Sequence, residues 1–421
     1  MKILIVGGGG REHALAWRIG QSPRVDTLMA APGNPGIARH AQCVPIGVEA
    51  HDELVAFARR ERVDLVVIGP EAPLAAGLAD RFAVAGLAVF GPSARAAAIE
   101  GSKAFAKDLM RRHGIPTARF ATFDDAERAR RFCREMGAPL VVKTDGLAAG
   151  KGAIVCPTLE DAEAAVAQCM EQRTFGTAGA RVVVEEFMTG QEVSFFVLSN
   201  GSDVMALAAA EDHKAVFDGD RGPNTGGMGC YSPVLAFDEA LEKRVMETIV
   251  RPTLAALARE GAPYRGVLYV GLMLTAHGPK VVEFNCRFGD PECQALMVRA
   301  PGDLVPLLLA AARGEAWPAY HPWPSTASVC VNIASRGYPG AYPTGLAIRG
   351  VEAAEARPGV QVFHAGTATK HGMLVTAGGR VLGVTAVADH MDAAIAAAYA
   401  AVGEIAFEGM HYRTDIGRRS A

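Results

Sequence analysis

The chain has 421 residues, more than one hydrophobic core usually organises, so two to four domains are expected. Half of the residues are apolar and 21% are charged, and the net charge is −3 from 42 Lys+Arg against 45 Asp+Glu. That balance offers no basic field for nucleic acid and no polybasic segment for a membrane surface. Any cationic site must be built locally from a few side chains.

The eight cysteines are scattered, with no CxxC and no zinc-ligand spacing, and read as free thiols in a reducing compartment. The apolar run 3–6 is too short for a signal peptide, and no run approaches the roughly 18 residues of a membrane span. A cytoplasmic location is expected.

In chain order, residues 2–6, 63–68 and 88–90 read as continuously apolar strands, as in a parallel sheet covered on both faces. Helical stretches at 11–19, 74–85 and 94–99 follow them. Turns at 7–10, 31–36, 69–73 and 91–92 would line the crevice beyond the strand ends of such an α/β domain. From Lys103 the pattern becomes mixed α+β, with helices at 103–113, 124–136, 159–172 and 238–258. Strand pairs are expected at 140–143 with 153–155 and at 266–275 with 280–284. A further pair, 182–187 with 192–198, reads as antiparallel across a turn at Thr189-Gly190. Residues 212–229 read as a long polar loop without structure of its own, and such loops tend to be functional. Beyond about 325, strands are expected near 328–333, 360–363, 373–376 and 381–387, with a helix at 392–402.

Four stretches carry chemistry. Gly7–Gly10 with Arg11 sits between a strand and a helix, where an anion can meet backbone N–H groups. It is not a dinucleotide fingerprint, because GxGxxG would need glycine at Glu12 or at His13. A tight turn requiring positive φ is the plainer alternative. The segment 143–152, KTDGLAAGKG, fails the Walker A pattern twice: it is one residue short, and Gly152 replaces Ser/Thr. A small-residue flap bracketed by Lys143 and Lys151 remains, suited to covering phosphates; a plain hairpin is the alternative.

Glu185, Glu186, Phe187, Met188 and Glu192 lie between two strands. They are either a solvated acidic turn or a hinge able to hold an adenine edge and ribose hydroxyls. In the fourth stretch, 281–292, period-two alternation puts Glu283 and Asn285 on one strand face, about 7 Å apart. Two oxygen ligands so placed suit Mg²⁺ bridging phosphates, and Arg287 continues the face toward a transferring phosphoryl group.

With these residues in view, the chain resembles the phosphoribosylamine–glycine ligases (glycinamide ribonucleotide synthetases) of the ATP-grasp superfamily. The resemblance runs nearly end to end: GGGGREHA at 7–14, APGNPG at 31–36, IGPEAPL at 68–74, GSKAF at 101–105, KTDGLAAGKG at 143–152 and EDHK at 211–214. It continues with GPNTGGMG at 222–229, EFNCRFGDPECQ at 283–294, VFHAGT at 362–367 and YRTDIG at 412–417.

The resemblance implies an ATP-grasp fold with three parts. These are an N-terminal Rossmann-like domain (1–102), an ATP-grasp domain (103–324, flap about 120–190) and a small C-terminal domain (325–421). It implies a reaction in purine biosynthesis in which ATP phosphorylates glycine and 5-phosphoribosylamine attacks the glycyl phosphate. The partners are those small molecules, with no nucleic acid or membrane, and the chain is expected to be a monomer.

It further implies roles residue by residue. Lys103 and Lys143 hold the α/β-phosphates, with Gly150, Lys151 and Gly152 above them. Glu185, Glu186, Phe187 and Met188 form the adenine hinge, and Glu192 meets the ribose. Glu283 and Asn285 bind Mg²⁺ or Mn²⁺. Lys214 and Arg287 face the transferring phosphoryl group. Asp212 and the loop Asp290, Pro291 and Glu292 meet glycine. Gly8, Gly9, Gly10, Arg11 and Glu71 meet the phosphoribosylamine. One departure from the wider superfamily is that 268–273, the preceding strand, carries no acidic metal ligand. Another ATP-grasp ligase and a catalytically inactive nucleotide-binding regulator are the competing readings.

Overall fold

The computed structural model describes residues 1–148 and 152–418. The N-terminal part is a five-stranded parallel sheet ordered Gln42–Cys43, Thr27–Pro32, Lys2–Gly7, Leu65–Ile68, Val89–Phe90. The central strand is sealed, with Ile3, Leu4, Ile5 and Val6 fully buried, because helices cover both faces. The strand Thr27–Pro32 runs into what reads in sequence as a turn. Its TLMAAP carries one β-branched residue, so composition does not mark it. The strand order reverses between Lys2–Gly7 and Leu65–Ile68, and the helices Gly10–Ile19 and Glu71–Ala75, which carry Arg11 and Glu71, start there.

Two four-stranded antiparallel sheets follow. The first is ordered Phe120–Phe123, Val182–Glu186, Leu140–Thr144, Ala153–Cys156 and has its own core with the helices Ala126–Met136 and Leu159–Val166. The second is ordered Val204–Ala206, Gln191–Asn200, Arg265–Thr275, Gly278–Asn285. The expected hairpin of 182–187 with 192–198 is therefore corrected: its two strands belong to different sheets. The chain crosses between them at Gly190 (φ +152°), where a Cβ would lie 2.2 Å from the Leu274 carbonyl oxygen.

The loop 212–229 is corrected as well. Its ends, Glu211–Asp212 and Gly229–Ser232, pair with each other, and its middle folds into the hairpin Ala215–Phe217 with Arg221–Asn224. Gly229–Ser232 also pairs with Ala327–Ala334, so these strands continue the C-terminal sheet through Arg380–Ala388 to Val360–His364. The helix Met391–Val402 packs on that sheet.

An aromatic ladder ties the first sheet to the third: Phe90 lies 6.3 Å from Phe288, Phe288 6.3 Å from Phe196, and Phe196 4.9 Å from Tyr269. Among the described residues, no helix is long and apolar enough to cross a membrane. Phe196 is fully buried at the centre of the ladder. Phe196→Ala should destabilise the protein by about 3–5 kcal/mol, read as a lower urea midpoint; an unchanged midpoint would contradict this packing.

Candidate active site

A cleft of about 510 Å³ opens where the parallel sheet, the two antiparallel sheets and the C-terminal part meet. Its cationic wall starts at Lys143, buried in the strand Leu140–Thr144, whose Nζ lies 3.1 Å from Glu185 Oε2 and 3.1 Å from the Val282 carbonyl. Lys103 stands at the first turn of the helix Lys103–Arg112. Ser102 caps that helix by accepting from the Phe105 N–H and donates to Asp145 Oδ1 at 2.9 Å.

Lys103 Nζ donates to the Gly146 carbonyl at 2.9 Å, so the start of the glycine loop is tied to this helix. Burial lowers the Lys103 pKa, with Glu283 pulling it back up and Lys143 lowering it further. Gly150 and Lys151 lie outside the described residues. Gly152 lines the cleft, and a Cβ there would meet Thr144 Oγ1 at 2.5 Å.

Of the acidic stretch, Glu185 is buried and lines the cleft. Its Oε1 is enclosed without a hydrogen-bond partner among the described residues, an open acceptor for an N–H of a bound molecule. Glu186 turns to Lys280 at 2.9 Å, Phe187 is exposed and Met188 half-buried. Glu192 lies 3.4 Å from Lys214 and lines a small adjoining pocket.

Glu283 and Asn285 enter the cleft from the strand Gly278–Asn285. Gly271 sits opposite Glu283, and a Cβ there would lie 3.2 Å from Glu283 Cγ. Crowding of that carboxylate is a physical reason for the missing acid on the neighbouring strand. Burial raises the Glu283 pKa, but Lys214, Lys143, Lys103 and Arg287 outweigh it and hold the group below its ordinary value. A carboxylate kept ionised beside an amide oxygen is a hard-oxygen pair that fits Mg²⁺ or Mn²⁺, with water and phosphate completing the shell. Among the described residues, no group of three or more His, Cys, Asp or Glu could hold a metal.

Arg287 is clamped by Glu100 at 3.1 Å and Glu71 at 3.2 Å, and it donates to Asn285 Oδ1 at 3.2 Å. Glu100 is itself fixed by the Cys286 N–H at 2.6 Å. Lys214 lies 3.4 Å from Asp212 Oδ2, while Asp212 Oδ1 is buried without a partner among the described residues. Burial, opposed by Lys214 and reinforced by Glu292, pushes Asp212 up to about 7. Glu292 accepts from Ser194 Oγ at 3.0 Å. Asp290 meets the Arg11 N–H at 3.4 Å and Arg380 at 3.5 Å.

The turn at 7–10 is only partly in the site. Arg11 lines the cleft, but Gly8 packs against the Gly33 carbonyl and Gly10 against Gln294. The Gly9 N–H is taken by Glu12 Oε2 at 2.6 Å, so the helix N-terminus already has its anion.

Glu100, Lys107, Ser194, Tyr269 and Arg380 belong to the cleft or its supports but carry no marking motif. Only Lys107, four residues after Lys103 on one helix face, could have been found by spacing. Arg380 arrives from the C-terminal part, donating to the Gly226 and Asp290 carbonyls at 2.6 Å each.

Two antiparallel sheets closing on a cleft, one bringing Lys143 and the other a carboxylate–amide pair, form an ATP-grasp fold. The crystal structure of a biotin carboxylase complex from Campylobacter jejuni shares it, with a TM-score of 0.75 at 17% identity over 99% of this chain and 94% of that one. Family models for phosphoribosylglycinamide synthetase match in three pieces: the N domain over residues 1–100, the ATP-grasp (A) domain over 101–293 and the C domain over 328–419.

Curated relatives named phosphoribosylamine–glycine ligase include one from Rhizobium meliloti (strain 1021), 53% identical over 100% of this chain and 99% of its own length. Another, from Agrobacterium fabrum, is 52% identical over 99% of this chain and 98% of its own. The crystal structure of the Thermotoga maritima phosphoribosylamine–glycine ligase superposes with a TM-score of 0.86 at 33% identity, covering 99% of this chain and 100% of that one. The chain belongs to the phosphoribosylglycinamide synthetase family, within the ATP-grasp ligases.

Gly227 (φ +114°) holds the floor beside Asp212: a Cβ there would lie 2.6 Å from Pro291 Cδ and 2.8 Å from Asp212 Oδ1. Gly227→Ala should cut turnover by about tenfold or more through misplacement of Asp212, with a near-native circular dichroism spectrum. Turnover at the wild-type level would contradict the placement.

Proposed function

We propose that the protein joins glycine to 5-phospho-β-D-ribosylamine at the expense of ATP, giving glycinamide ribonucleotide, ADP and phosphate. The observation that carries this reading is the cleft itself. Lys103, Lys143, Glu283 and Asn285 line it together with the buried Asp212 and the half-buried Lys214. A carboxylate is a poor acyl donor, so the reaction needs a leaving group, and the protein contributes alignment and neutralisation of charge.

The glycine carboxylate oxygen attacks the γ-phosphorus as the bond to the β–γ bridging oxygen breaks, giving glycyl phosphate and ADP. The phosphoribosylamine nitrogen then attacks the acyl carbon, phosphate leaves with the C–O bond, and the nitrogen loses a proton. Lys103 and Lys143 take the α/β-phosphates, with Gly150, Lys151 and Gly152 as cover that keeps water from the acyl phosphate. Glu185 to Met188 take the adenine, the open Glu185 Oε1 suiting its amino group, and Glu192 takes the ribose. Mg²⁺ or Mn²⁺ held by Glu283 and Asn285 would neutralise phosphate charge.

Lys214 and Arg287 stabilise the transferring group. Asp212, with its open Oδ1, and the Asp290, Pro291 and Glu292 loop receive the glycine ammonium, whose charge restores the ionised form of Asp212. Arg11 and Glu71 receive the phosphoribosylamine, and the Gly8, Gly9 and Gly10 turn sets Arg11 at the cleft. In this division of labour, residues 1–102 hold the amine, 103–324 hold ATP and glycine, and 325–421 close the cleft.

ADP release measured with glycine or formate, with and without phosphoribosylamine, tests the reading. Sustained release should require glycine and phosphoribosylamine together. Release that is indifferent to glycine, or supported equally by formate, would reject it.

A further inference from the structure

Lys107 has no part in the chemistry set out above, yet it is one of the most enclosed charges in the protein, with a side chain 3% exposed. It lies one turn beyond Lys103 on the helix Lys103–Arg112. Its Nζ is 2.8 Å from Glu185 Oε2, the same oxygen that Lys143 Nζ reaches at 3.1 Å. One carboxylate oxygen is thus shared by two ammonium groups.

The two are moored differently. Lys107 also donates to Thr117 Oγ1 at 2.8 Å, lies over the Phe120 ring at 5.6 Å, and is held where Thr117 in turn donates to the Val281 carbonyl. Lys143 has besides Glu185 only a backbone carbonyl, that of Val282, among the described residues. The more loosely held ammonium is the one at the end of its strand beside the glycine loop.

We propose that Lys107 is a positioning residue, the standing counter-charge of Glu185, which leaves Lys143 free to quit that carboxylate and meet the phosphates of ATP. The inference rests on the reading of Lys143 as a phosphate ligand. Two ammonium groups on one carboxylate leave one positive charge in excess, and that excess is what a polyphosphate can use. Without Lys107, Glu185 and Lys143 would be a neutral buried pair. Drawing Lys143 away would then strand a bare carboxylate, which a low-dielectric surrounding penalises heavily.

Steady-state kinetics and calorimetric binding of a non-hydrolysable ATP analogue, on K107M, K107R, E185Q and K107M/E185Q, test this. K107M should raise the KM for ATP and weaken analogue binding by about tenfold or more. The KM for glycine and kcat should stay within about threefold, because the lysine acts only through Glu185. K107R should stay near wild type. K107M/E185Q should bind the analogue better than K107M, since a neutral amide no longer holds Lys143.

An unchanged ATP affinity in K107M, an equal loss in every parameter, or a double variant no better than K107M would overturn the proposal. Should K107M fail to fold by circular dichroism, E185Q and K107M/E185Q carry the comparison. Equal ATP affinity in these two supports the proposal, and a further loss on removing Lys107 overturns it. Analogue binding reads the proposal without turnover, whereas failure of the proposed reaction would show as wild-type ADP release indifferent to glycine.

Discussion

Charge pairing inside one buried cleft is the constraint on which the rest of this structure depends. A charge taken out of water is tolerable only with a partner, and removing one member of a buried pair costs about 3–5 kcal/mol. Here the partners come from different parts of the chain. Arg287, following the third sheet's last strand, is held by Glu71 from the N-terminal part and by Glu100 from the helix that leads out of it. Asp290 is held by Arg380 from the C-terminal sheet. Glu185 in the second sheet meets Lys107 from the helix Lys103–Arg112. The three parts are thus electrostatically committed to one another at the cleft, beyond the apolar contacts of the Phe90, Phe288, Phe196 ladder.

Not every charge in the cleft is satisfied internally, and the exceptions are informative. Glu185 Oε1 and Asp212 Oδ1 are enclosed acceptors without partners among the described residues. Natural proteins rarely leave such atoms unmatched, since each costs about 1–3 kcal/mol. Their positions, one at the hinge between the sheets and one beside Lys214, are the two places where the proposed reaction brings N–H donors. The upward shift of Asp212 to about 7 has the same origin: burial disfavours its charge until a cation arrives, with Lys214 already opposing it.

Much of this was legible in the sequence, and the pattern of what was not has a physical explanation. Apolar runs marked Lys2–Gly7 and Leu65–Ile68, and strict alternation put Glu283 and Asn285 on one face. Lys143 beside a glycine loop was equally plain. The failures concern strand pairing, and strands too short or too poor in β-branched residues to be marked. Residues 182–187 and 192–198 are strands, but period two cannot tell which strand lies alongside, and Gly190 sends the chain into another sheet. The 212–229 loop looked structureless because its strands, such as Glu211–Asp212, are too short to carry a period. Glu100 and Arg380 reach the cleft from 186 and 90 residues away from the groups they hold, and no local spacing records that.

The central claim is that ATP is used to activate a carboxylate, and an isotope decides it. Glycine labelled with ¹⁸O in both carboxylate oxygens, turned over with ATP and phosphoribosylamine, should deliver one labelled oxygen to each inorganic phosphate. The label is read as an isotope shift in the ³¹P spectrum of the released phosphate. Phosphate that carries no ¹⁸O would contradict the account, because no bond would then have formed between the glycine carboxylate and the γ-phosphorus.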